Sequence, residues 1–450
     1  MEKNLTSGSV LRTVLYFSLP YLLSYLLQTL YGMADLYIIG QFCGVESTTA
    51  VSIGSQVMHM ITVMLVGLAM GTTVRIGRAV GAGDRDDMRK AVGNTIILFA
   101  ALSVAVTALL LALVRPIVGV MSTPAAAVPG TVQYLTICFA GIPCITAYNI
   151  ISAIFRGMGD SKSPLYFIAV ACAANIGLDY LFIGALDMGP AGAALGTTLA
   201  QAVSVALSLF MICRRRMIPG LRRADCRPDR TMLRSLLQVG LPIAVQDGFI
   251  QISFLAITVF ANLRGLEDAA AVGIVEKMIS FLFLVPSSML STVSALSAQN
   301  IGAGRPDRAR QTLGYAVRIA VGFGIFCTVV MQFAAGWAVG LFTTDPVVAD
   351  MGAQYMHSYV WDCIFAGIHF SFSGYFCACN RSWLSFVHNS AAIVLVRLPL
   401  SWYAATYCLE SLFPMGIAAP AGSFLSVLIC LAAFRLTERR TAPKPAPAKG

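Results

Sequence analysis

Long apolar runs, broken by short polar loops, recur along the chain from residue 13 to residue 434. Each run is close to 20 residues or longer, which is what a helix needs to cross the hydrocarbon core of a bilayer. The runs fall at 13–40, 49–74, 91–114, 129–153, 163–185 and 191–213. After a basic break they resume at 235–262, 271–298, 313–336, 350–377, 384–407 and 416–434. The pattern predicts an all-α integral membrane protein with twelve transmembrane helices, several of them long enough to tilt or reach beyond the lipid. The stretch Met1 to Leu11 has no cleavage-site pattern, and Pro20 interrupts the first run, so that run reads as a retained helix rather than a signal peptide.

Composition removes the soluble alternatives. The chain is 57% apolar and only 12% charged over 450 residues, against about a quarter charged in soluble domains. No polar stretch is long enough to house a separate soluble domain. The formal net charge of +10 suggests nucleic acid until the charges are placed. Arg75, Arg78, Arg85, Arg89 and Lys90 follow the second run. Arg214, Arg215, Arg216, Arg222, Arg223, Arg227, Arg230 and Arg234 follow the sixth. Arg305, Arg308 and Arg310 follow the eighth, and Arg435, Arg439, Arg440, Lys444 and Lys449 occupy the tail. The opposite loops hold Arg115 and Arg264. This asymmetry is a topology signal: it puts both termini in the cytoplasm, demands an even number of spans, and makes the lipid bilayer the partner in place of nucleic acid. The 12 cysteines are scattered, mostly in apolar segments; Cys377 and Cys379 are close but lack metal-ligand spacing.

The chain repeats itself. Leu11-Arg12 opens a helix that reaches Pro20, and Leu233-Arg234 opens one that reaches Pro242. Val80-Gly81-Ala82-Gly83 matches Ile301-Gly302-Ala303-Gly304, Gln133-Tyr134 matches Gln354-Tyr355, and Ser161 matches Ser382. The offset stays near 221 residues. Six spans per half give both halves the same orientation, related by an axis along the membrane normal, and such repeats enclose a central cleft. The expected organisation is an N-terminal six-helix lobe over 1–213, a cytoplasmic basic linker over 214–234, a C-terminal six-helix lobe over 235–436, and a disordered cytoplasmic tail over 437–450 rich in Pro, Ala and Lys. The two Gly-Ala-Gly stretches are expected to be cytoplasmic turns with structural roles.

Away from the ends of the apolar runs stand five acidic residues: Asp35, Asp179, Asp247, Glu276 and Asp362. A carboxylate at membrane depth costs a few kcal/mol, so it needs a partner, water or a proton. Counted from the outer helix ends, Asp35, Asp179 and Thr197 all fall about 8–10 Å below the rim of the hydrocarbon, and Asn175 is one turn from Asp179 on the same face. Two carboxylates, an amide and a hydroxyl at one depth suit uptake of a proton or a small monovalent cation. Glu276 and Asp362 have an ion-pairing explanation in Arg397, inside the eleventh run. No GxxxxGK[ST], HExxH, GxSxG or CxxCH occurs, and His59, His357, His369 and His388 share no metal-ligand spacing. No enzyme chemistry, cofactor or structural metal is expected, beyond Na⁺ as one possible coupling ion.

These residues resemble the MATE (multidrug and toxic compound extrusion) family over about residues 8 to 436. The resemblance is carried by Pro20 with Met33-Ala34-Asp35, the two Gly-Ala-Gly stretches, Phe155-Arg156-Gly157-Met158-Gly159-Asp160-Ser161, Asn175-Ile176-Gly177-Leu178-Asp179-Tyr180 and Gly192-Ala193-Ala194-Leu195-Gly196-Thr197. It implies twelve helices in two pseudo-symmetric lobes and efflux of amphipathic, usually cationic, drugs or toxic metabolites in exchange for H⁺ or Na⁺, from a monomer in the bacterial inner membrane. In DinF-like members, positions matching Asp35, Asn175, Asp179 and Thr197 form the N-lobe cation site. Positions matching Gln28, Tyr31 and Asn149 line the drug cavity, and a bending proline matches Pro20. The C-lobe acids of NorM-like members fall near Ile250 or Gln251 and near Ala366, none of them acidic, which turns the expectation toward N-lobe coupling. A lipid-linked precursor flippase is the competing reading; it calls for a more cationic cavity than Arg397 alone supplies.

Overall fold

The computed structural model describes residues 5–215, 220–222 and 224–441. Arg216, Arg223, Lys444 and Lys449 lie outside the described residues. All regular structure among the described residues is helical. The helices are α1 (Val10–Phe42), α2 (Val45–Ala82), α3 (Arg85–Val120), α4 (Val128–Ala140), α5 (Ile142–Gly157), α6 (Lys162–Asp179), α7 (Gly189–Arg215), α8 (Arg230–Arg264), α9 (Leu266–Leu282), α10 (Leu284–Gly302), α11 (Pro306–Gly340), α12 (Pro346–Tyr359), α13 (Asp362–Ala378), α14 (Ser382–Ala392), α15 (Leu398–Tyr407) and α16 (Phe413–Thr441). Two π-helical turns, Tyr180–Ala185 and Ile393–Arg397, continue α6 and join α14 to α15.

Among the described residues ten helical segments are long and apolar enough to cross a membrane, counting α9–α10 as one; the pair α4–α5, bent by 48°, raises the number to eleven. The remaining expected segment, 350–377, is folded as α12 and α13 with a break at Val360–Trp361. Asp350, Gln354, His357 and Asp362 lower its apolarity. The last helix runs on to Thr441, beyond residue 436, at which the C-terminal lobe was expected to end. Its end carries Glu438, Arg439 and Arg440, residue types of high helix propensity; residues 442–450 lie outside the described residues.

Packing divides the protein into two compact units. One takes the chain up to Gln251 together with Ser287–Ala316 and Gly374–Ser382; the other takes Ile252–Pro286, Val317–Ser373 and the chain from Trp383. The division cuts across the sequence halves, because parts of α8, α10, α11 and α13 pack with the first half. Contacts inside the first unit explain why. A Cβ on Gly81 of α2 would run into the Gln299 carbonyl oxygen of α10, and a Cβ on Gly302 of α10 would run into that of Arg78 on α2. Only glycine lets two helix backbones approach that closely. Beside this crossing, Arg78 Nε and Nη2 donate to the Ala378 carbonyl at 3.0 and 2.5 Å, and Gln299 Nε2 donates to the Gly157 carbonyl at 2.9 Å. Arg78 and Gln299 are equivalent in the repeat, as are Gly157 and Ala378, so each contact has its mate. The third residue of each Gly-Ala-Gly makes the expected tight helix exit: Gly83 and Gly304 have φ of 72° and 70°, a conformation that favours glycine.

At this seam the first unit buries an apolar cluster of Met70, Val74, Val239, Ile243 and Ala298, and around it lie two larger ones. One joins Met88, Phe99, Phe155, Phe167 and Leu236; the other joins Ile38, Ile39, Leu135, Phe139 and Ile183. Large apolar side chains on α11, such as Phe333 and Trp337, are left exposed, as suits a helix face that meets lipid acyl chains.

Candidate functional site

Asp35, Asn175, Asp179 and Thr197 come together where α1, α6 and α7 pack on one another. Asp35 lies two turns before the end of α1. Asp179 is the last residue of α6, where the backbone passes into the π turn Tyr180–Ala185. A π turn widens the helix by one residue per turn and re-aims the side chains on either side of it. Asn175, one turn earlier, shares the face of Asp179. Thr197 approaches from α7 and donates its hydroxyl to Asp35 Oδ2 at 3.2 Å.

Asp179 and Asn175 are the other polar groups facing the Asp35 carboxyl. Asp35, Asn175 and Asp179 are 4%, 2% and 0% exposed, which takes both carboxylates out of bulk solvent. Asp35 Oδ1, both Asp179 oxygens and both amide atoms of Asn175 are buried without a well-formed hydrogen bond. Among the described residues neither aspartate has a basic partner within ion-pair distance. Oxygen-rich, buried and short of donors, the group fits a proton shared between two carboxylates or a small hard cation held by oxygen ligands. Gly196, one residue before Thr197, makes the arrangement possible: a Cβ there would run into Asp179 Oδ1.

The three expected cavity residues do not fall in one place. Asn149 lines a cleft between α1, α2, α5 and α10, along with Tyr21, Thr73, Arg156 and Ser291; its amide nitrogen is turned to the Ile145 carbonyl at 2.8 Å. Gln28 and Tyr31 are outside that lining. Tyr31 has Asp35 and Tyr148 among its neighbours. Gln28 is half-buried on α1. Pro20 is buried inside α1, one residue before Tyr21, and its carbonyl accepts the Ser24 hydroxyl at 2.7 Å.

The remaining intramembrane acids are elsewhere. Asp247 on α8 faces α2, where a Cβ on Gly67 would lie 2.7 Å from its Oδ2. In the second unit, Arg397 bonds the Tyr359 hydroxyl at 2.7 Å and lies 4.6 Å over the Phe254 ring. It forms no ion pair with Glu276 or Asp362, so the expected pairing does not occur; the guanidinium takes a hydroxyl and an aromatic face as its partners. Glu276 Oε1 and Asp362 Oδ1 are buried without a hydrogen bond. Sequence reasoning passed over Arg156, Tyr21, Ser291 and Gly196 as site residues. Arg156 and Gly196 stood in quoted motifs, but nothing in one dimension says that the first enters a cleft and the second makes room for a carboxylate.

A family model described as MatE matches residues 20–181 and, again, 242–403. The probable multidrug resistance protein YpnP of Bacillus subtilis is 28% identical over 396 residues, 88% of each chain. The FAD transporter of Shewanella oneidensis is 26% identical over 435 residues, 95% of this chain and 94% of that one. A solved structure described as the outward-facing conformation of a multidrug resistance MATE family transporter superposes with a TM-score of 0.90 at 21% identity, over 97% of both chains. The two family matches take up the two halves of the repeat in turn, and the helices are those of a membrane-spanning protein: the chain belongs to the MatE family and is a multi-pass membrane transporter, not an enzyme.

Proposed function

We propose that this transporter is a secondary active multidrug exporter of the DinF-like kind, which expels amphipathic, cationic compounds in exchange for H⁺ or Na⁺. One observation carries the reading: two buried carboxylates, Asp35 and Asp179, face each other in the first half with neither an ion pair nor a full set of hydrogen bonds. Such a pair is costly to leave charged and empty, so a proton or cation bound there changes the energy of the whole segment. The ion joins α1 to α6 and α7, and Tyr31 and Pro20 lie on the same α1 that lines the drug cleft. Ion and drug are then linked reciprocally: each changes the affinity for the other by the same factor. The sequence departures near Ile250, Gln251 and Ala366 favour coupling in the first half. The six-helix lobes over 1–213 and 235–436, rocking about the basic linker, supply alternating access. The protein works as a monomer in the bacterial inner membrane with both termini in the cytoplasm.

The test is transport by the purified protein in sealed proteoliposomes, with ethidium as substrate and a pH gradient or a Na⁺ gradient imposed separately. Uphill ethidium movement under one of them is expected. No gradient-dependent movement with either ion would overturn the exchanger reading.

A further inference from the structure

Arg156 closes the cleft that Asn149 enters, and it is bonded unlike the other arginines of the helical core. Arg78 caps the Ala378 carbonyl. Arg264 donates to the carbonyls of Ala404, Cys408, Leu409 and Ser411 and pairs with Asp268 at 3.1 Å. Arg397 bonds Tyr359. The guanidinium of Arg156, a half-buried residue at the end of α5, has no hydrogen bond and no ion pair among the described residues, and its Nε is buried without a partner. Its one partner is the Tyr21 ring, 4.8 Å from the guanidinium carbon. Stacking uses the face of a guanidinium and leaves the donors around its edge unspent.

What surrounds that edge is rich in hydroxyl groups. The ionisable groups that act on Arg156 are the phenols of Tyr21, Tyr25 and Tyr148, and among the described residues no carboxylate stands within ion-pair distance of it. The Tyr148 hydroxyl and Ser152 Oγ are buried beside each other without a well-formed hydrogen bond. Tyr25 and Ser291 share one hydrogen bond of 2.8 Å between their hydroxyls, which leaves one of the two protons free to point elsewhere. A positive fork with hydroxyl donors beside it, an aromatic face below it and no acid to neutralise it is complementary to an anion on a flat organic framework.

We propose that this cleft receives the acidic group, a carboxylate or phosphate, of an organic anion or zwitterion, with Arg156 as its receptor. The exporter reading supplies only the direction in which such a compound moves; the binding itself is independent of it. A zwitterion places its acid on Arg156 and its amine elsewhere, so recognition of an acidic group and export of cationic amphiphiles are compatible in one protein.

The experiment measures binding to the full chain in nanodiscs of phosphatidylcholine. The probes are a fluoroquinolone with its free carboxylate, the methyl ester of the same compound, and ethidium. Charge-assisted hydrogen bonds are worth about 1.5–3 kcal/mol, so the acid is expected to bind about 10- to 100-fold more tightly than the ester. Arg156→Gln should bring the acid-over-ester ratio down to about one, with ethidium, which has no acidic group, losing less affinity than the acid does. Arg156→Lys, which keeps the charge but not the fork, should restore part of it. Equal affinity of the native protein for acid and ester overturns the proposal, whether or not either variant folds. So does an equal loss for all three probes in Arg156→Gln, which would mark a packing role. Loss of the acid preference in phosphatidylglycerol nanodiscs would assign the receptor to a lipid headgroup and also overturn it. Gradient-driven ethidium export is scored separately: its failure removes the exporter reading and leaves the acid-over-ester ratio standing.

Discussion

Asp35 and Asp179 are a pair in which either residue alone is easy to accommodate and both charged together are not. Replacing Asp35 with Asn keeps the shape and a hydrogen-bonding group but removes the ability to carry a proton or a charge. Asp35→Asn is expected to fold, to reach the membrane in normal amount and to lose uphill efflux in vesicles; retained uphill transport would clear Asp35 of the coupling role. Asp179→Asn and Thr197→Ala should shift the pH or Na⁺ dependence of transport, while Asp247→Asn and Asp362→Asn should shift it less. The reverse ranking in the same titration would move the ion away from Asp35 and its neighbours. Gly196→Ala makes a different point. Its methyl group runs into Asp179 Oδ1, so the variant should lose about 1–3 kcal/mol of stability by overpacking and show an altered ion dependence. Gly177, on the neighbouring α6, has open space where a methyl group would sit, with nothing within 4 Å. It is the control, and Gly177→Ala should leave transport unchanged and hold or raise the unfolding temperature, since alanine is favoured over glycine in a helix by about 0.5–1 kcal/mol. The four candidate ion residues were legible because polar residues inside apolar runs are conspicuous and helical rise converts position into depth. The role of Gly196 was not, because a glycine's importance lies in what would collide with its missing side chain.

Helix α1 carries both the proline and the carboxylate, which makes it the element through which ion and drug would communicate in the exchange proposed above. Proline at position 20 removes one ladder donor and crowds the preceding turn. Pro20→Ala should restore the missing bond, keep or raise the unfolding temperature, preserve ethidium binding and slow transport; a variant that transports at the native rate would show that this bend is static shape. The two π turns belong to the corresponding helices of the two halves, the expected spans 163–185 and 384–407, though at different points along them. That asymmetry agrees with a first half that gathers carboxylates there and a second half that gathers Arg397. Hydropathy located nearly every helix, since a membrane span is an average over about 19 residues. The same averaging hides a one-turn event. The 48° bend at Gly141, the break after Leu282, the interruption at Val360–Trp361 and both π turns fall within windows that read as uniformly apolar or nearly so. The pairing of Arg397 with Glu276 or Asp362 failed for a related reason: charge alone does not reveal that a phenol and an aromatic face stand closer.

At the scale of the whole molecule the repeat was visible as an offset in sequence, but the way its two copies hold each other was not, because contact between residues some 220 positions apart depends on which helix faces meet. Gly81 and Gly302 cross at each other's helix, and Arg78 and Gln299 each reach across to the end of a helix in the opposite half. This is the grammar of a symmetric dimer, in which one patch recognises itself and residue i on one subunit meets residue j on the other while j meets i. Two separate chains would encode such an interface once, so a single mutation would strike it twice. Fusion has turned one gene position into two that can be altered independently. Gly81→Ala and Gly302→Ala should therefore cost similar amounts of stability, each forcing the same backbones apart. The double variant should cost less than the sum of the two, because a seam already opened by one methyl group has room for the other. A fused dimer can drift where its chemistry differs, as the buried aspartates of one half and the arginine of the other have done. It must stay symmetric where its two copies are still each other's partner.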